Sequence, residues 1–295
     1  MASLYTHQDR NIQKTWMLMT LFFLLLIAVG WALSYVYESP FILYIAVGVS
    51  IVMNVWSYWQ SDKLVLRLAH AKEVSRESAP ELWNVTENLA ITAGLPMPKV
   101  YIIDDPSPNA FATGRNPEHA AVAATTGLLA LLNRSELEGV MAHELAHIGN
   151  RDTLIQTVVV VLVGSLSLLA DFFLRSTMVG GSRDNRAGGI MAIIGIALII
   201  LAPIAGTLMR LAISRRREFL ADASGALLTR YPEGLASALE KIHRAAAERP
   251  LQHAHAATAH LFIANPFGSV GRGVAGLFAT HPPVAQRLQA LRSMQ

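Results

Sequence analysis

The sequence predicts a mainly α-helical membrane protein with about four membrane helices and a soluble α+β part that contains a small β-sheet. The 295 residues are 53% hydrophobic and only 15% charged, with a mean hydropathy of +0.38. A soluble domain averages about 25% charged residues. Four stretches carry no charge over roughly the 20 residues that a bilayer requires. Amphipathic stretches and two short apolar segments typical of strands lie between them.

The charge balance argues against nucleic-acid binding, and the lack of cysteine excludes cysteine-based sites. The net charge is +3 and the pI is about 9.3, which basic residues flanking membrane segments explain. No basic patch is interleaved with aromatic residues, so we expect no nucleic-acid partner. The chain has no cysteine, which excludes disulfides and thiolate metal ligands. Any metal must be held by histidine, glutamate or aspartate.

The first two charge-free runs, 15–37 and 41–60, predict an N-terminal transmembrane hairpin. The first run is too long for the apolar region of a cleaved signal peptide, and 32–34 is a poor cleavage site, so we interpret the run as a retained helix. The turn between the runs has no Lys or Arg, whereas both flanks are basic. Both ends of the hairpin are therefore expected in the cytoplasm.

A second hairpin is predicted by the runs 153–170 and 187–209. Three arginines at 215–217 follow the fourth run and again indicate the cytoplasmic side. The loop between the runs also holds Arg175, Arg183 and Arg186, which disagrees with this rule. Either the rule is weaker here or the pair dips into the bilayer without crossing it. Full spanning is the interpretation that we favour.

The four runs divide the chain into an N-terminal hairpin (1–61), a soluble part with the small sheet (62–152), a second hairpin (153–213) and a soluble helical part (214–295). In the first soluble part, a proline and a glycine bound a predicted helix over 80–93. The segments 99–103 and 120–125 are strand candidates. The small sheet therefore precedes the helix that carries the next motif.

That helix contains the sequence HELAH, the H-E-x-x-H pattern. Residues four apart share one face of a helix, so His143 and His147 point the same way and can bind one metal ion. Glu144 lies beside them, within reach of a metal-bound water. In a chain with ten histidines, chance placement on an amphipathic helix explains the pattern about equally well.

The two ends of this helix carry signals of their own. Ser135 and Glu138 have the spacing of a capping box at its start. Gly149 and Asn150 predict a break at its end.

A third ligand is predicted just beyond the fourth apolar run, at Glu218. If runs three and four form a hairpin, their cytoplasmic ends meet, and Glu218 approaches His143 and His147. Two histidines and a glutamate, with water in the fourth position, are a common catalytic zinc set. Asp222, one turn later, would accept the second ring N–H of a ligand histidine. The alternative is that Glu218 pairs with a neighbouring arginine and that Asp222 caps a helix.

Four separated motifs give the chain a family resemblance. HELAH, the downstream RRREFLAD, PNAFATG before the metal helix and THPP near the C-terminus resemble the M48 family of membrane zinc metalloproteases. The number of apolar runs and the chain length are similar to its HtpX branch. Residues 1–14 are longer and more polar than this branch leads us to expect.

The resemblance implies a gluzincin-type protease domain with one zinc ion on His143, His147 and Glu218 and with Glu144 as the catalytic residue. It also implies a multi-pass protein of the bacterial inner membrane whose active site faces the cytoplasm. Its partners would be the lipid bilayer and unfolded or membrane protein substrates, which it cleaves in quality control.

Further site residues are predicted with simpler alternatives beside them. His281 is a candidate oxyanion donor and Arg287 a weaker one; alternatively, His281 only begins a helix. Asn109, Ala110 and Phe111 are expected to border the cleft, where an extended substrate adds to a sheet edge. An ordinary turn explains that segment equally well.

Two other functions compete with the endopeptidase. One is a site-specific processing protease that matures a dedicated peptide or lipidated partner. The other is a non-catalytic zinc-binding membrane scaffold, which a three-residue ligand set disfavours because structural zinc sites usually have four protein ligands. The histidines at 253, 255 and 260 could form a second metal site. We favour the alternative, that they belong to a mobile, solvated loop.

Overall fold

The chain, examined as a computed structural model, is described over residues 4–179, 215–255, 257–268 and 282–294. In these ranges, helices enclose one four-stranded sheet. The helices are α1 (Leu4–Val36), α2 (Pro40–Leu68), α3 (Pro80–Ala93), α4 (Thr126–Leu131), α5 (Arg134–Gly149), α6 (Asp152–Val179), α7 (Arg215–Thr229), α8 (Pro232–Glu248) and α9 (Val284–Arg292). The strands are β1 (Lys72–Glu73), β2 (Lys99–Ile103), β3 (Ala110–Thr113) and β4 (Ala121–Thr125).

The two N-terminal apolar helices are confirmed. Within α1, Gln8–Tyr35 is long and apolar enough to cross a membrane, and so is the whole of α2. Only 28% and 11% of the residues in their most apolar windows are buried by protein, so most of this apolar surface is available to lipid. Large apolar side chains are exposed along both helices, including Trp31, Tyr44 and Trp59.

The third apolar run forms the start of α6. Its described side chains, from Leu154 to Leu166, pack into an apolar cluster with the first helix, and Leu18 and Phe22 are buried there. The fourth run, 187–209, lies outside the described residues. The count of four membrane helices, and the position of the loop between runs three and four, therefore stay predictions.

The sheet has the order β1–β2–β4–β3. The two predicted strands are confirmed as β2 and β4, which run parallel with Lys99 opposite Ala121. The edge strand β3 pairs antiparallel with β4, with Ala110 opposite Ala124. It was not predicted as a strand because the turn-forming pair Pro-Asn precedes it and the pair Thr-Gly ends it, which favours an ordinary turn.

Helix α5 is the central element of the soluble part, and it packs against α3, α7, α8 and the sheet. Glycines allow two of these approaches. A Cβ atom on Gly139 would lie 2.6 Å from the backbone nitrogen of Leu235 in α8, and one on Gly225 in α7 would lie 3.0 Å from that of His143. Since such distances are shorter than ordinary contacts, glycine is what lets the helix backbones come this close.

The start of α5 differs from the prediction. Its capping box is formed by Asn133 and Glu136, two residues earlier than the predicted pair Ser135 and Glu138. The Glu136 carboxylate also accepts hydrogen bonds from Ser237 and Lys241 of α8, at 2.6 and 2.8 Å. Burial opposes its charge, but these bonds and the one from the Asn133 backbone hold the pKa of Glu136 below its usual value. Contacts from another helix thus select the residue that caps α5.

Candidate metal centre

The two histidines of α5 meet as the helical spacing predicts. Their Nε2 atoms are 3.2 Å apart, and both side chains are buried. The Nδ1 atom of His143 lies 3.0 Å from a carboxylate oxygen of Asp222, and that of His147 lies 3.0 Å from one of Asp152. Both rings are therefore held at the nitrogen that faces away from their meeting point.

These contacts determine the tautomers. A carboxylate only accepts hydrogen bonds, so each Nδ1 must carry the proton that it donates to Asp152 or Asp222. In neutral imidazoles, both Nε2 atoms of His143 and His147 then present lone pairs to one another. Two lone pairs at this separation repel unless a proton or a metal cation lies between them. The donor set is therefore suited to a cation.

Glu218 of α7 completes the set. Its two carboxylate oxygens lie 3.6 Å from Nε2 of His147 and 3.8 Å from Nε2 of His143. One ligand atom from each of the three residues can be chosen so that all lie within 4.8 Å of one another. Ligands of a tetrahedral zinc ion with bonds of 2.0–2.1 Å would be about 3.3–3.4 Å apart. The observed spacing therefore fits a zinc ion with small side-chain adjustments.

The electrostatics of the site also favour a cation. Burial opposes a charged ring at His147, but the hydrogen bond to Asp152 and the charges of Glu218, Asp152 and Glu144 outweigh it and raise the pKa of His147 to about 9. A buried position that holds a proton this firmly is one where negative charge exceeds positive charge. A divalent cation would balance the same excess.

Asp152 is the functional residue that the sequence prediction missed. In a continuous helix, a residue five positions after His147 would lie about 140° away around the axis and could not reach its ring. The chain instead breaks after Gly149, and Arg151 adopts a left-handed conformation with φ of 60°. This break, which was predicted, turns the start of α6 back towards the histidine. An acidic residue directly after the break was the available signal.

Asp222 lies against the ring of His143, and Arg287 of α9 lies behind it. Two guanidinium nitrogens of Arg287 donate to the two carboxylate oxygens of Asp222, at 2.8 and 2.6 Å. Burial opposes ionisation, but the Arg287 charge and the hydrogen bond from His143 hold the pKa of Asp222 below its usual value. The third nitrogen, Nη1 of Arg287, is 4.0 Å from Glu218.

For the two predicted catalytic residues, Glu144 and His281, the structure gives less detail. Glu144 is buried, with 2% of its surface exposed, and its charge acts on both His147 and Arg287. It therefore lies at the same centre. His281 is outside the described residues, and its role stays a prediction.

The predicted substrate-binding residues contact another part of the same chain. The side-chain amide of Asn109 donates to the carbonyl oxygen of Ala264 and accepts from its N–H, both at 3.1 Å. The carbonyl of Ala110 accepts from the N–H of Ile263 at 3.0 Å. The ring of Phe111 is fully buried and packs edge-on against Phe262, with ring centres 5.2 Å apart. Contact between these side chains and a substrate would require residues 262–264 to move.

Two histidines of the stretch before this segment contact other parts of the chain. His260 is 1% exposed, and its Nε2 donates to the carbonyl of Gln156 at 3.1 Å. The ring of His253 lies against that of His70, with centres 4.5 Å apart. Among the described residues, the ligand atoms of His143, His147 and Glu218 are the ones that lie close enough together to hold a metal ion.

Comparison with known proteins identifies the family. Peptidase family M48 matches residues 76–295. The chain belongs to this family. A "Protease HtpX homolog" of Caldanaerobacter subterraneus is 46% identical over 99% of this chain and 98% of its own length. Proteins of the same description from Paraburkholderia phytofirmans and Pyrococcus furiosus are 49% and 52% identical, over 96% and 85% of this chain and 97% and 86% of their own lengths.

A solved structure agrees on the fold. The crystal structure of S. mikatae Ste24p superimposes with a TM-score of 0.50 and 18% identity, covering 90% of this chain and 62% of that one. With the family and its relatives, the chain is a membrane zinc metalloprotease, and the buried cluster of His143, His147 and Glu218 is its candidate metal site.

Replacement of Glu218 by glutamine should abolish most of the metal binding, because the site loses its only charged ligand and keeps two neutral imidazoles. The zinc content of the purified, dialysed protein measures this by mass spectrometry. We expect about one zinc per chain in the parent, in line with one ligand set. Glu118→Gln, the same change at an exposed position, is the control and should retain the metal. Full zinc occupancy in Glu218→Gln would contradict the assignment.

Proposed function

We propose that this M48 chain is a zinc-dependent endopeptidase that cleaves misfolded or damaged membrane proteins at the cytoplasmic face of the bacterial inner membrane. The observation that supports it most is the buried pair of Nε2 atoms, 3.2 Å apart, with the Glu218 carboxylate beside them and Glu144 next to them in sequence. The cluster lies close to the apolar helix α6, which begins five residues after His147 and packs against the membrane-length helix α1. Substrates extracted from the bilayer would meet the site there.

In the proposed reaction, His143, His147 and Glu218 hold the zinc ion. Zinc bound there would lower the pKa of a water molecule towards 7 and polarise the scissile carbonyl. Glu144 accepts the proton that the attacking water loses and delivers it to the nitrogen of the leaving amine. Its burial keeps this carboxylate in a weakly screened environment, where it acts strongly on nearby charges.

Asp152, Asp222 and Arg287 support this chemistry from behind the ligands. Each aspartate fixes one imidazole by accepting its Nδ1–H, which keeps both Nε2 atoms free to bind the metal. Arg287 balances the charge of Asp222, and we infer that this structural task takes up its Nε and Nη2 atoms. If Arg287 also stabilises the oxyanion, it would do so through Nη1. His281 stays our proposed principal donor for the oxyanion.

The substrate backbone is proposed to follow the outer edge of β3. The carbonyl of Asn109 faces β4, since it accepts from Thr125, whereas that of Ala110 faces outward and accepts from Ile263. Strand alternation then directs the amide and carbonyl of Ala112 to the same outer edge. An extended peptide that adds there binds through its backbone, which suits a protease acting on many unfolded sequences.

Two other functions remain as outcomes of the tests. A processing protease would use the same centre but cleave one dedicated partner at one site. A non-catalytic scaffold would bind zinc without hydrolysis, and it gives no reason for a buried Glu144 beside the ligands.

Glu144→Gln should bind zinc normally and lose hydrolysis of a loosely folded substrate such as casein by at least about 100-fold, because the amide cannot accept the proton. Purified proteins in detergent with equal zinc content should be compared by the rate of fragment formation. Glu118→Gln serves as the control and should cleave like the parent. Equal rates for Glu144→Gln and the parent would reject the mechanism, and cleavage of only one defined partner would favour the processing role.

The orientation can be tested with single cysteines, since the chain has none of its own. Both basic flanks of the α1–α2 hairpin are proposed to be cytoplasmic. A cysteine at Glu38, in the turn between the helices, should react with a membrane-impermeant maleimide applied to spheroplasts. One at Glu81, which is exposed on α3, should react only after lysis. The reverse labelling pattern would show that the active site faces away from the cytoplasm.

A further inference from the structure

The first turns of α1 extend beyond the bilayer. A helix of 33 residues is about 50 Å long, whereas the hydrocarbon core is about 30 Å thick. The charge-free run begins only at residue 15, and Asp9, Arg10 and Lys14 lie before it. About the first three turns therefore belong beside the soluble part. This polar start is the feature that the family resemblance left unexplained.

These turns make direct polar contacts with the end of the metal helix. The side chain of Gln8 donates to the carbonyl of Gly149 at 2.6 Å. Asn11, which is 5% exposed, donates from Nδ2 to the carbonyl of Asn150 at 3.1 Å and to Oδ1 of Asp152 at 2.8 Å. Its Oδ1 accepts from Arg217 of α7 at 3.4 Å. Both functional atoms of the Asn11 amide are thus used inside the protein.

The contact between Asn11 and Asp152 leads to a metal ligand. The other carboxylate oxygen of Asp152 is the one that accepts Nδ1–H of His147. A carboxylate held at both oxygens has a fixed plane, and a fixed plane orients the ring that donates to it. Asn11, on the first membrane helix, is therefore two hydrogen bonds away from a zinc ligand although it is 136 positions before it in the chain.

We propose that Asn11 is a positioning residue for the metal centre: it holds Asp152 in the orientation that keeps Nε2 of His147 directed at the zinc ion. The inference rests on the proposed zinc-binding role of His143, His147 and Glu218. If so, the position of the first membrane helix against the soluble part affects the affinity for zinc. The N-terminal segment then contributes to the active site as well as to anchoring.

The test measures zinc affinity in the full-length Glu144→Gln protein by competition with a chelating indicator. This background cannot hydrolyse peptides by the proposed mechanism, so the result does not depend on whether the chain is a protease. Asp152→Ala should weaken zinc binding about 10- to 100-fold, as direct partners of ligands do. Asn11→Ala acts one bond further away and should weaken it roughly 3- to 10-fold.

Two further variants separate positioning from packing. Gln8→Ala removes a hydrogen bond between α1 and the same helix end but does not reach a ligand, so it should leave the zinc affinity within about twofold of the reference. Asn11→Asp keeps the shape of the side chain but replaces the donor to Asp152 by a carboxylate oxygen, and it should weaken binding at least as much as Asn11→Ala. Melting temperatures recorded without metal identify any variant that fails to fold.

The double variant provides the decisive comparison. If Asn11 acts through Asp152, then Asn11→Ala should cause no further loss in the Asp152→Ala background. The proposal is overturned if folded Asn11 variants bind zinc like the reference, if Gln8→Ala weakens binding as much as Asn11→Ala, or if the losses simply add in the double variant.

Discussion

The site depends on one electrostatic constraint: two imidazole lone pairs are brought to 3.2 Å inside a buried, negatively charged centre. That arrangement is unfavourable without a cation between them. The carboxylates of Asp152 and Asp222 enforce it, because each takes the Nδ1–H of one ring and leaves Nε2 as the only free ligand atom. Glu218 then supplies the third ligand. The buried carboxylates destabilise the folded protein when no cation is bound, and the same carboxylates hold the metal ion.

The fold keeps these groups together through close approaches of helix backbones. Gly225 lets α7 pack against α5 next to His143, which places Glu218, two turns earlier on α7, beside the rings. The break at Arg151 ends α5 and returns Asp152 to His147. Neither device binds metal itself. Both are backbone features that decide whether widely separated side chains can converge.

Much of the centre could be predicted because its geometry is local. A spacing of four residues puts His143 and His147 on one face of any helix, and the same spacing relates Glu218 to Asp222 on α7. The strands β2 and β4 and the helix closed by Gly94 were likewise encoded by local residue patterns. The meeting of α5 and α7 was inferred from the membrane hairpin between them and not from either segment alone.

The residues that escaped prediction are defined by tertiary contacts. Asp152 orients His147 only because the chain turns back, and Asn133 replaces Ser135 as the cap because Glu136 is bound from α8. The strand β3 adjoins the turn formers Pro-Asn and Thr-Gly, and it is its pairing with β4 that makes it a strand. The contact between the amide of Asn109 and Ala264, which is 155 residues away, is likewise one that no local pattern predicts.

The most direct measurement is the anomalous scattering of zinc in crystals of the full-length protein, recorded on both sides of the zinc absorption edge. We expect one peak per chain, about 2.0–2.2 Å from Nε2 of His143, Nε2 of His147 and a carboxylate oxygen of Glu218. A zinc peak elsewhere in the chain, with these three side chains free of metal in zinc-saturated protein, would contradict it.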